Sequence, residues 1–266
     1  MVLLKLGIFD SGIGGLTVYR AIRDGIHGVP IHYLGDTARV PYGTKSAETV
    51  VRYSRQIASH LVDSGADTIV VACNTATAYA LEPLRDFLTV PVFGVIEPGA
   101  RAAVRTTRNG IVGVIGTRGT VLSGAYQQAI SALDKSVKIT AVSCPLFVPL
   151  VEEGWLDEEV TYRIAGRYLK PLLEKDVDTL VLGCTHYPLL KEVISRVMGK
   201  GVTLIDSARE TALDVSSHTA QSPPTPVKKN QPDHFEVTDS PSRFTEVGKI
   251  FLGRELQDVS LVALEH

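Results

Sequence analysis

Cysteine is scarce in this chain. Three among 266 residues cannot build a disulfide framework, and the odd count leaves one without a mate, so a reducing, cytoplasmic setting is expected. An excess of charge is also missing. Lys and Arg number 27 against 29 Asp and Glu, for a net charge of −2, so no basic surface is offered and nucleic acid is a poor partner. No apolar run reaches the roughly 18 residues needed to cross a bilayer. Met1 to Lys5 leads straight into a strand pattern without a secretory hydrophobic segment, so no membrane association is expected. There is no C-x-x-C or H-x-x-x-H spacing, and no metal site is expected. A P-loop lysine and a full G-x-G-x-x-G are both absent from the first glycine loop, which disfavours a nucleotide cofactor. No heptad seam marks an oligomer interface.

What is present is concentrated at Val177 to Leu190. Thr179 to Leu182 has the length and apolar content of a buried parallel strand. It ends in Gly183-Cys184-Thr185-His186, and a helical pattern is read from Tyr187. Ligands of open α/β sheets bind where strands finish and helices begin, so a thiol, a hydroxyl and an imidazole on successive residues mark a candidate site. The same corner occurs earlier. Ala66 to Thr75 aligns without gaps on Val177 to His186 at an offset of 184 − 73 = 111, pairing Asp67 with Asp178, Thr68 with Thr179 and Cys73 with Cys184. Two strand ends, each delivering one cysteine, imply two halves that face one another.

The rest of the chain fits this repeat. Leu4 to Phe9, Ile31 to Leu34, the first cysteine strand and Val92 to Val95 are strands of one half, with a helix from Ser46 to about Asp63. Gly110 to Ile115, Val137 to Val142, the second cysteine strand and Val202 to Ile205 repeat them, with a helix from Asp157 to Glu174. Glu97-Pro98-Gly99 and Asp206-Ser207 read as the links between halves. Gln221 to Asp233 reads as a mobile, proline-rich surface loop. His234 to Val237, a helix to Leu252 and Val259 to Val262 are too few for a third domain. The expected fold is α/β, with two pseudo-symmetric open domains of mainly parallel sheet and the active site in the cleft between them. Residues 1–97 and 208–266 form a discontinuous first lobe carrying Cys73, and residues 98–207 a second carrying Cys184.

Two matched thiols suit chemistry at a single carbon. A free thiol has a pKa near 8.5 and is only a few per cent thiolate at neutral pH, and helix N-termini past the two cysteines are expected to favour the thiolate. Cys144 has no counterpart in the repeat and reads as a small buried hydrophobe. Asp10, ending the first strand, reads either as a group that accepts a proton or orients others near Cys73, or as a helix N-cap. His186 is placed to do the same beside Cys184.

Six segments in order, FDSGIGG (Phe9–Gly15), GDTARVPYG (Gly35–Gly43), ACNTA (Ala72–Ala76), VIEPG (Val95–Gly99), IGTRGT (Ile115–Thr120) and GCTHYPL (Gly183–Leu189), resemble glutamate racemase. Aspartate racemases share the two-cysteine plan, and Thr185-His186 with the GDTARVPYG loop point to the glutamate branch. The resemblance implies a cofactor-independent enzyme that interconverts L- and D-glutamate by a two-base mechanism, supplies D-glutamate for bacterial peptidoglycan, and forms a homodimer. It adds Glu152 as a partner on the His186 side, with Glu153 an adjacent competitor. Pro41 and Tyr42 enter the site through the same loop. Backbone N–H groups and hydroxyls at Ser11, Gly43, Asn74, Thr75, Thr117, Thr120 and Thr185 are then expected to hold the substrate carboxylates without arginine. Asp10 is also a candidate partner of the ammonium. A related enzyme acting on aspartate, a hydantoin or an aryl malonate, or a two-lobed binding protein without turnover, are the competing readings.

Overall fold

The computed structural model describes residues 4–221 and 232–264. The first half alternates β1 (Leu6–Asp10), α1 (Leu16–Gly25), β2 (Ile31–Gly35), α2 (Ala47–Asp63), β3 (Thr68–Val71), α3 (Asn74–Phe87) and β4 (Val92–Gly94). The second half runs α4 (Ile96–Thr106), β5 (Ile111–Gly116), α5 (Arg118–Leu122), α6 (Ala125–Leu133), β6 (Lys138–Ser143), α7 (Phe147–Glu152), α8 (Glu159–Leu173), β7 (Thr179–Gly183), α9 (Lys191–Met198) and β8 (Thr203–Asp206). The chain then returns through α10 (Ser207–Gln221), β9 (His234–Val237), α11 (Pro241–Leu252) and β10 (Val259–Leu261).

Two sheets result, with strand orders β10-β9-β2-β1-β3-β4 and β6-β5-β7-β8. Every pairing is parallel. The order β2-β1-β3-β4 repeats as β6-β5-β7-β8, so the two cysteine strands occupy equivalent places. The returning strands β9 and β10 extend the first sheet beyond β2. Parallel strands are covered on both faces, which is why β3 and β7 are apolar after their opening threonines and wholly buried.

Helix α2 shows how the cover is encoded. Ser46 caps it by accepting from the Thr49 N–H at 3.3 Å, and Val50, Ser54, Ile57, Ala58 and Leu61 fall on one buried stripe. That stripe packs with Phe9, Leu34, Ile69 and Val71, where each fully buried aliphatic side chain contributes roughly 1.5–3 kcal/mol. A second core cluster is continuous between the halves, running from Leu6 and Ile8 to Leu180 and Leu182. Helix α10 packs on α1 and on α4, so the return of the chain joins the two halves.

Helices begin at both links, and one helix start differs from its expectation. Glu97-Pro98-Gly99, expected as a link, lies in the first turn of α4, where proline is tolerated and Gly99 packs closely on Tyr126 and Ser207. Ser207 likewise opens α10 directly after β8. The helix expected from Tyr187 starts as a 3₁₀ turn, Tyr187–Leu190, with Pro188 in it, and α9 follows. Of the loop expected from Gln221 to Asp233, residues 222–231 lie outside the described residues. At its end, Asp233 is bound by Arg23 and by the Tyr19 hydroxyl at 2.6 Å.

Candidate active site

The register brings the two cysteine corners to matching positions. Phe9 pairs with Val71, so Cys73 leaves β3 next to Asp10. Gly116 pairs with Gly183, so Cys184 leaves β7 next to Thr117. Both thiols line one narrow cavity of about 40 Å³, with Ser11, Pro41, Tyr42, Gly43, Asn74, Thr75, Thr117, Thr185 and His186. Val40 and Val148 complete the lining. None of these residues is a lysine or an arginine.

Cys73 is the N-cap of α3. Its sulfur accepts from the Ala76 N–H at 3.4 Å and lies 3.5 Å from the Ser11 hydroxyl. Burial nonetheless pushes the thiol up to about 11, and the nearby Asp10 carboxylate adds to the rise. Cys184 lacks an α-helical N-terminus, since a 3₁₀ turn follows it, and burial raises its thiol further. At Cys73 the Ala76 N–H favours the thiolate, as expected of a helix start, but burial outweighs it.

Each thiol has an acid/base neighbour. Asp10 is buried, with Oδ2 accepting from the Gly12 N–H at 2.9 Å and Oδ1 without a hydrogen-bond partner among the described residues. Burial raises its pKa, against the opposing pull of His186 and the Gly12 and Gly15 amides. On the other side, His186 Nδ1 lies 3.9 Å from the Cys184 sulfur, and its Nε2 lies 2.9 Å from Glu152 Oε1. Burial alone would raise the Glu152 pKa, but the His186 hydrogen bond and the charges of His186 and Arg243 bring it below the usual value. Phe251 packs edge-on to the His186 ring at 5.3 Å between centroids. Glu153, the adjacent candidate, instead faces Arg243 at 3.7 Å.

Three hydroxyls close the cavity across the halves. Thr75 Oγ1 lies 2.8 Å from Thr117 Oγ1 and 3.1 Å from Thr120 Oγ1, and the last two are 3.0 Å apart. Asn74 Oδ1 accepts from the Tyr126 hydroxyl at 2.7 Å, while its amide nitrogen is buried without a partner among the described residues.

A family model for Asp/Glu/Hydantoin racemase matches residues 6–214. The chain belongs to that racemase family. A glutamate racemase of Geobacter metallireducens is 54% identical over 263 residues, 98% of this chain and 97% of that protein. The crystal structure of a glutamate racemase from Bacillus anthracis superposes with a TM-score of 0.92 at 39% identity, covering 98% of both chains. The glutamate racemase of Francisella tularensis, solved in complex with D-glutamate, gives a TM-score of 0.92 at 35% identity and covers 98% of both chains. The protein is thus an amino-acid racemase, an enzyme that inverts a stereocentre.

Three of the residues singled out in the sequence stand behind the cysteine-lined cavity. Asp10 supports the Ser11 loop, Thr120 backs Thr75 and Thr117, and Glu152 lies beyond His186, lining an outer hollow of about 170 Å³ that shares Val40. Tyr42 is in the wall, but its hydroxyl is committed to Asp36. Valines 40 and 148 escape a reading that follows polar atoms. Val40 lies inside the quoted loop and Val148 follows Cys144, so the segments, not the residue types, were the available signal.

Proposed function

We propose that this racemase interconverts L- and D-glutamate without a cofactor, using Cys73 and Cys184 as its two acid/base groups, and that its D-glutamate feeds bacterial peptidoglycan synthesis. The observation that carries the reading is that both thiols, at equivalent strand ends of the two sheets, line one cavity. The D-glutamate bound to the Francisella tularensis relative supports the choice of substrate.

Racemisation removes the proton on Cα and returns one to the opposite face. Two groups flanking a planar carbanion achieve this without turning the substrate over. One thiolate takes the Cα proton, the other thiol protonates the far face, and the two cysteines exchange protonation states. Since burial raises both thiols, forming the initial thiolate needs an acceptor. Asp10, with a free buried oxygen, serves Cys73, and His186, backed by Glu152, serves Cys184. Hydroxyls and amides of Ser11, Gly43, Asn74, Thr75, Thr117 and Thr185 hold the carboxylates. Such dipoles bind an anion with no arginine in the cavity lining.

Deuterium tests the scheme. In D₂O, product formed from either enantiomer of glutamate should carry deuterium at Cα, while substrate recovered from the first turnovers stays protiated. Cys73→Ala and Cys184→Ala should each abolish racemisation, and aspartate run alongside should turn over far more slowly. Deuterium in early recovered substrate, or full activity in either variant, overturns the two-base scheme. Preferred turnover of aspartate overturns the substrate assignment.

A further inference from the structure

Four titratable side chains gather on the first sheet, away from the cysteine cavity. His32 on β2 pairs in register with His234 on β9, and paired residues of parallel strands share a face. Glu236, two residues further along β9, is on that face as well. His60, in the last turn of α2, joins them. The Glu236 Oε2 atom lies 2.8 Å from His32 Nε2 and 2.7 Å from His60 Nε2, and Oε1 lies 3.2 Å from His234 Nε2.

We propose that His32, His60 and Glu236, with His234 beside them, form a binding site for a divalent transition ion of the zinc class. One ligand atom from each of His32, His60 and Glu236 lies within 4.8 Å of the others. Ligand atoms of a tetrahedral zinc site, with bonds of about 2.0–2.1 Å, are about 3.3–3.5 Å apart, so small side-chain rotations open the cluster around an ion. His60 also lines an open depression of about 470 Å³, which gives an ion a route from solvent. Spacing rules miss this set because its members are 28, 174 and 2 residues apart along the chain (32 to 60, 60 to 234, 234 to 236). An ion here would join β2, α2 and the returning strand β9, a structural role that leaves the cysteine chemistry untouched.

The test uses the full chain after removal of bound metal with a chelator. Zn²⁺ titrated calorimetrically should bind at one equivalent and raise Tm by about 5–10 °C at a hundredfold excess over Kd. Co²⁺ in its place should give ligand-field bands without a thiolate-to-metal charge-transfer band. His60→Gln and Glu236→Gln should each weaken binding at least about tenfold, whereas a Cys73→Ser/Cys184→Ser protein should bind as before. His60→Gln should also racemise normally, and its position on the outer end of α2 keeps the test open if Glu236→Gln fails to fold. Absence of stoichiometric Zn²⁺ binding overturns the proposal. So does binding that survives His60→Gln, or that is lost with the two cysteines.

Discussion

Alanine at Gly14 should remove most of the activity while leaving the protein folded. A Cβ there would lie 2.2 Å from Thr185 Oγ1, 2.4 Å from His186 Nδ1 and 2.5 Å from His186 Cε1. Carbon contacts settle near 3.5 Å, so about 1 Å of movement is required. Neither neighbour yields freely. Thr17 Oγ1 holds the Thr185 carbonyl and the Gly14 carbonyl at 3.0 Å each, and His186 is tied to Glu152 at 2.9 Å. Overpacking of this kind costs about 1–3 kcal/mol of stability, which a domain of this size survives. Displacing a positioned catalytic group by about 1 Å lowers the rate by about 100-fold. Gly12→Ala is the control in the same loop, since its Cβ meets only Val40 Cγ2, at 3.7 Å. Circular dichroism would follow racemisation from each enantiomer, with a thermal melt on the same sample. The two enantiomers are equal in free energy, so kcat/KM must fall by the same factor in both directions, which checks the data internally. Activity within about threefold of the parent in Gly14→Ala, or equal losses in Gly12→Ala and Gly14→Ala, would refute the steric argument.

Other outcomes follow from the same geometry. Glu152→Gln removes a charge-assisted hydrogen bond worth about 1.5–3 kcal/mol, so kcat/KM should drop by roughly 10- to 100-fold; a change under about twofold would detach Glu152 from catalysis. Thr75→Val should raise KM for glutamate, because Thr75 lines the cavity, whereas Thr120→Val, one layer back, should cost about 1 kcal/mol of stability with KM nearly unchanged; equal KM effects would contradict this layering. Cys144→Ala should racemise normally, since Cys144 is buried outside the cavity and its thiol is pushed up by burial, and lost activity there would show a third thiol in use. The Cys73 thiol is raised from 9.0 to about 11, so the folded protein holds that proton more tightly than the unfolded chain. This stabilisation is fully present below the unfolded pKa and is lost as pH rises through about 11, each tenfold gain in proton affinity being worth about 1.4 kcal/mol. Cys73→Ala should flatten the fall in Tm across that alkaline window, and an unchanged slope would argue against the raised thiol.

The sequence by itself determined the architecture and the two strand ends. Buried parallel strands read as short apolar runs, and a gapless repeat of one such run with its cysteine carries the pseudo-symmetry directly, as the matching orders β2-β1-β3-β4 and β6-β5-β7-β8 display. The glycine and threonine corners were legible for the same reason, because a strand end must change composition where it meets a ligand-sized space. Among the described residues, no helix is long and apolar enough to cross a membrane, in keeping with the lack of long apolar runs. Tertiary structure decided what depends on distance through space. The Glu152–His186 pair, which only the resemblance anticipated, the contacts of Thr75 with Thr117 and Thr120, and the meeting of His32 and His60 with Glu236 join residues 34, 42 to 45, and 176 to 204 positions apart. No local pattern encodes those meetings. It also outweighed one effect legible in the sequence: the Ala76 N–H at the start of α3 favours a Cys73 thiolate, but burial raises both thiols, and the depth of burial is set by tertiary packing.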